Sequence, residues 1–139
     1  MPLFDAAFGS GIELVHVRHE ASTVHMADAW SRVSGEVGIA LVTGGPGHAN
    51  AVAALYTAQM AEAPVVLLSG HAPNEQLGQG AFQEMRQADM AEPVCKAAWR
   101  CASADAVAGD VAKAIRIAKS GRPGPCLLYT SPSPRDKRQ

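Results

Sequence analysis

Aromatic residues make up only 5% of this sequence, and its charge is nearly balanced, with 12 Lys and Arg against 13 Asp and Glu. The first scarcity argues against an interior built on large rings. The second argues against nucleic acid or an anionic membrane as partner, because both demand a basic face. Long apolar runs are lacking too: stretches such as Pro64–Leu68 fall far short of the ~20 residues that span a bilayer. Cysteine is limited to Cys95, Cys101 and Cys126, an odd set without C-x-x-C spacing, and no apolar leader with a basic head is present. A reducing, cytoplasmic setting with the three thiols in the core is therefore expected. What is plentiful is small: 26 Ala and 13 Gly among 139 residues, within a 47% apolar composition. That is the profile of one globular domain in which helices pack closely on a sheet.

Periodicity supports a mixed α/β chain. Ile12–Val17 alternates apolar and polar side chains as a strand does, and Glu20–Val33 follows with Val24, Ala27, Trp30 and Val33 at helical spacing before Gly35. Ile39–Val42 is an all-apolar run, as in a strand buried on both faces, and it ends in Thr43-Gly44-Gly45-Pro46-Gly47. A helix with Val52, Leu55, Tyr56, Gln59 and Met60 turned inward is expected next, closed by Pro64, which opens a strand over Val65–Ser69. Gly70–Gly80 reads as a long loop and Phe82–Ala91 as a short helix. Val94–Cys101 reads as a strand, and Ser103 as the cap of a helix that points Val107, Val111, Ala114, Ile115 and Ala118 inward and ends at Gly121. Pro125–Tyr129 is a last strand. Such alternation implies a three-layer α/β/α fold around a mostly parallel sheet.

Both ends look unlike those of a whole domain. Met1–Gly9 resembles the end of a helix with no strand before it, and residues 129–139 finish in a polar, proline-containing tail with nothing apolar to bury after Tyr129. The expected division is a domain over 1–128, lacking its first strand, and a disordered or non-native tail over 129–139.

Glu20 is the leading chemical candidate because it falls where a strand gives way to a helix, the edge at which open α/β sheets gather ligands. A glutamate that merely complements a helix dipole is the plainer alternative. Gly44-Gly45-Pro46-Gly47-His48-Ala49-Asn50 joins a strand to a helix and could offer free amides to an anion or a ring, or be only a tight turn. It lacks the Lys-Ser/Thr of a P-loop and the G-x-G-x-x-G of a dinucleotide site. His16, His19 and His25 do not have the spacing of a zinc helix, and no Ser or Cys stands in a nucleophile motif.

Taken together, Arg18-His19-Glu20, Met26–Gly35, Thr43–Asn50, Ala81-Phe82-Gln83-Glu84 and Gly121–Pro125 occur in the order seen in thiamine-diphosphate enzymes of the acetolactate synthase type. Over residues 3–128 the chain resembles their N-terminal pyrimidine-binding domain. The resemblance implies that Glu20 hydrogen-bonds N1′ of the cofactor's aminopyrimidine and, with Gln83, takes part in catalysis. It also places Pro46, Gly47, Asn50 and Phe82 around the cofactor. The implied activity is decarboxylation or carboligation of a 2-keto acid, promoted by a carboxyl whose pKa burial has raised. Benzoylformate or oxalyl-coenzyme A decarboxylase chemistry, or a non-catalytic interaction domain of the same fold, are the alternatives. The family's magnesium and diphosphate motif does not occur in this chain. Mg2+ ligands are therefore expected in another domain, FAD in a middle domain of a full-length enzyme, and the rest of the site in the diphosphate-binding domain of a partner subunit within a homodimer or homotetramer. By itself the chain is expected to bind thiamine diphosphate weakly and to be inactive.

Overall fold

The structure is a computed structural model that describes residues 2–130. Its helices are α1 (Pro2–Ala7), α2 (Glu20–Ser34), α3 (Pro46–Met60), α4 (Gln87–Ala91) and α5 (Val107–Lys119); its strands are β1 (Gly38–Val42), β2 (Val65–Gly70), β3 (Ala97–Arg100) and β4 (Cys126–Thr130). The strands form one sheet in the order β1-β2-β4-β3, with every neighbouring pair parallel. On β2, Val65 and Leu67 enter a core with α2 and α3, whereas Val66 enters a second core with Ala114 and Ala118 of α5. Helices thus cover both faces, and the expected three-layer α/β/α architecture is the one observed. No helix among the described residues is long and apolar enough to cross a membrane.

Several local expectations need correction. Ile12–Val17 does not pair as a strand, and Ile12 and Val15 are exposed. Two-residue alternation suits a half-buried strand, but no backbone ladder joins this stretch to a described strand. α2 ends where Gly35, at φ 74°, donates its N–H to the Ser31 carbonyl, as a left-handed cap should. Its buried stripe, however, is Val24, Ala27, Asp28 and Ser31, while Trp30 and Val33 face outward. In α3 the buried positions are Gly47, His48, Ala51, Val52, Ala54, Leu55 and Ala58, and Tyr56 and Met60 are exposed. Rows of alanine let α2 and α3 approach each other and the sheet, so the larger residues are left outside.

Of Phe82–Ala91 only α4 is helical, and of Val94–Cys101 only β3 is a strand. Ser103 accepts from the Ala106 amide in a turn ahead of α5 and does not cap that helix. β4 continues through Thr130, with Tyr129 in register with both Ser69 and Arg100. Tyr129 and Thr130, expected in the tail, thus belong to β4; the rest of the expected tail, residues 131–139, lies outside the described residues. Burial pushes the Cys95 and Cys101 thiols up to about 12 and Cys126 up to about 11, so all three are protonated core side chains.

Candidate functional site

Two helix starts and one loop converge at the C-terminal end of β1. α2 begins at Glu20 behind His19, whose Nδ1 accepts the Ala21 amide at 3.2 Å. α3 begins at Pro46, a position that suits proline because the first turn has no partner for its missing N–H. Gly45 precedes it at φ 63°, which turns the chain from β1 into the helix.

The side chains of the two helix starts meet. Asn50 donates from Nδ2 to Oε2 of Glu20 at 3.0 Å. Gly47 lies beneath the same carboxylate: a Cβ there would stand 3.1 Å from Glu20 Oε1 and 2.6 Å from Thr43 Cγ2. Glycine is needed because carboxylate and helix backbone approach so closely. Glu20 is only partly buried, and the Asn50 hydrogen bond holds its carboxyl below the usual carboxylate range, outweighing the upward push of burial. The expectation of a pKa raised by burial is corrected accordingly: the ring of groups around Glu20 stabilises the anion.

The loop that follows β2 closes the other side. Gln83 has φ 64°, an unusual left-handed backbone for a residue with a side chain. It covers Gly45 so tightly that a Cβ on that glycine would come within 2.9 Å of Gln83 Cβ. Thr43 donates from Oγ1 to Gln83 Oε1 at 3.3 Å. Glu20, Gly47, Asn50 and Gln83 are therefore brought to one place. Pro46 is exposed at the start of α3, and Phe82 is 86% exposed on the loop.

Under this surface lies a polar network that sequence reasoning missed. Gln87, fully buried, donates from Nε2 to Ser69 Oγ at 2.8 Å and to the Gly70 carbonyl at 3.0 Å. His48, also fully buried, lies 3.1 Å from the Gln87 carbonyl through Nε2, which makes that nitrogen the donor and leaves Nδ1 without a partner among the described residues. Burial pulls the His48 pKa down. The available signal was polar residues at helical core positions, which periodicity alone reads as surface.

A cavity of about 690 Å3 runs beside the site, between residues 13–19 and the β1 edge, with Trp30, Ile39 and Leu41 among its walls. Only its end reaches Glu20 and Thr43; Gly47, Asn50 and Gln83 do not line it. The chemistry is better placed by the convergent polar groups than by this largely apolar trough. Among the described residues, no three His, Cys, Asp or Glu side chains gather as metal ligands would.

Residues 1–90 match the family described as thiamine pyrophosphate enzyme, N-terminal TPP binding domain. Over 127 residues the chain is 45% identical to 2-hydroxyacyl-CoA lyase 2 of Xenopus laevis, covering 91% of the chain and 20% of that protein. Over 118 residues it is 42% identical to the acetolactate synthase isozyme 3 large subunit of Escherichia coli K12, covering 85% of the chain and 21% of that protein. A 2-hydroxyacyl-CoA lyase 2 from Caenorhabditis elegans is 42% identical with the same coverage as the frog protein. The chain thus spans about a fifth of the length of these relatives.

Proposed function

The chain belongs to the thiamine pyrophosphate enzymes, matching their N-terminal cofactor-binding domain, and from that membership we propose that it activates thiamine diphosphate through Glu20 in a carbon–carbon lyase or carboligase. The observation that carries the reading is the Glu20 carboxylate, oriented by Asn50 and approached from below by the bare Gly47.

The residues suit the cofactor's aminopyrimidine. A side chain at position 47 would fill the space against Oε1, and a carboxylate kept anionic by Asn50 is a strong acceptor for a ring N–H. When bound, the cofactor supplies a thiazolium carbon that becomes a nucleophile toward a carbonyl substrate. Glu20 would hold and return the proton at N1′, Asn50 would keep its carboxylate facing the ring, and Gln83 with the Pro46–Asn50 turn would enclose that ring. Phe82, exposed beside Gln83, would meet the substrate or the diphosphate-binding domain of a partner subunit, in a homodimer or homotetramer. Mg2+, held in that other domain, would anchor the diphosphate, and FAD would belong to a middle domain.

Acetolactate synthase and 2-hydroxyacyl-CoA lyase relatives lie close together in identity. Their names support two substrate classes, a 2-keto acid on the synthase side and, on the lyase side, a coenzyme A thioester with a hydroxyl on the neighbouring carbon. A cytoplasmic setting fits three cysteines that are free thiols.

The test is a titration of the isotopically labelled chain with thiamine diphosphate and magnesium chloride. Amides of Glu20, Gly47, Asn50 and Gln83 should shift with weak affinity, and Glu20→Ala should abolish the effect. Shifts confined to other surfaces, or none at millimolar cofactor, would leave a non-catalytic interaction domain of the same fold. In a longer polypeptide that carries this domain with the rest of the enzyme, Glu20→Gln should reduce turnover by about 10² to 10⁴, the usual loss for a positioned acid–base group.

A further inference from the structure

The loop that carries Phe82 and Gln83 has an internal fastening of its own. Glu84 accepts the Gly78 amide on Oε1 at 2.5 Å and the Ala81 amide on Oε2 at 3.0 Å, while its own N–H donates to the Ala81 carbonyl at 3.0 Å. Gly78 and Gly80 curl the chain around this carboxylate with φ of 80° and 69°. The next residue back, Gln83, is the one in left-handed backbone that packs on Gly45.

We propose that Glu84 is a positioning residue: by clasping the Gly78 and Ala81 amides it holds Gln83 in its left-handed conformation across the glycine turn, and so keeps two distant segments of the chain in one site. Left-handed backbone is disfavoured for a residue with a Cβ and persists only where the surroundings impose it. Gln87 anchors the far end of the same stretch to Ser69 and Gly70, but it acts three residues beyond the clasp and leaves Gln83 free to relax. A carboxylate is the side chain that fits, because two amides need two acceptor oxygens. An amide side chain offers one oxygen and turns an NH2 group toward the second donor. The bonds from Gly78 and Ala81, helped by the Gly80 amide, hold the Glu84 carboxyl below the usual carboxylate range, and His71, just after β2, is the titratable side chain that faces it.

The consequence for the cofactor rests on the proposed function, whereas the clasp does not, so the experiment reads the loop without cofactor. Amide hydrogen exchange and HN–Hα couplings are followed in the whole chain and in Glu84→Gln, Glu84→Ala and His71→Asn. Both Glu84 variants should exchange Gly78 and Ala81 at least about tenfold faster, the effect of losing a hydrogen bond to a charged acceptor, with β2 and β4 unchanged. The Gln83 coupling should lose its left-handed value. Adding Gln83→Gly to Glu84→Gln, which removes the penalty of that backbone, should restore the position of the loop on Gly45. Lowering pH should release Gly78 and Ala81 in the parent and in His71→Asn, but not change them further in Glu84→Gln. Exchange at Gly78 and Ala81 within twofold of the parent in Glu84→Ala, or an unchanged Gln83 coupling, would overturn the proposal.

Discussion

At the scale of single residues, close approach governs the site. A Cβ at Gly47 would press on both Thr43 and Glu20, and the helix backbone cannot retreat from a sheet it already touches. Gly47→Ala should destabilise the fold by about 1–3 kcal/mol, seen as a lower denaturant midpoint, and should shift the Asn50 side-chain amide resonances as the Glu20 carboxylate moves. His48 makes a separate prediction. Its folded-state pKa lies below the unfolded value of about 6.5, so at pH above that value it is neutral in both states. As pH falls below about 6.5 the unfolded chain takes up a proton that the folded one refuses. Stability should drop there by up to about 1.4 kcal/mol per pH unit until the lower pKa is passed. Urea titrations between pH 7 and 5.5 should show that slope in the parent and a flatter one in His48→Gln. Glu20 and the glycine turn were legible in the sequence because their residue types and order are distinctive. The His48–Gln87–Ser69 network was not, since its members join only after α3, α4 and β2 have packed.

Among the elements, those that make many contacts of one kind were the readable ones. β2 and β4 are short apolar runs covered on both faces, and each appears where expected. α2 and α3 were legible as helices, but not in which side they bury. Alanine contributes little to an apolar stripe, yet Ala27, Ala51, Ala54 and Ala58 are the residues that reach the core. A buried acid misleads further: Asp28 is 2% exposed and is satisfied by Arg32 one turn on, with Nε donating to Oδ1 at 2.9 Å. The same preference for small residues sets how α2 lies on β1, because a Cβ at Gly38 would collide with the Ala27 carbonyl. A backbone carbonyl in mid-helix cannot swing aside. Gly38→Ala should therefore cost about 3 kcal/mol, at the upper end for overpacking, and calorimetry should show a lower melting temperature with the parent's cooperativity if the layers survive.

For the molecule as a whole, parallel strands with helices on both faces follow from the alternation of apolar runs with helical segments, and the structure has that form. The order β1-β2-β4-β3 was not legible, because the choice of neighbour depends on which faces the helices cover. Its outcome is that β1 is a border: among the described residues it pairs with β2 alone, and it carries Ile39, 48% exposed. The opposite border, β3, ends at Arg100, and Lys113 lies over its Trp99 ring. Charge stands guard there and not at β1. An apolar strand with open amides and carbonyls is a template for other strands, and natural sheets commonly defend such margins with lysine. Colloidal behaviour should follow from this asymmetry. Light scattering should reveal particles that grow with concentration and time, and Ile39→Lys should suppress them while leaving the far-ultraviolet circular dichroism unchanged. Equal growth in that variant would move the sticky surface elsewhere, to the outward Trp30 and Val33 of α2.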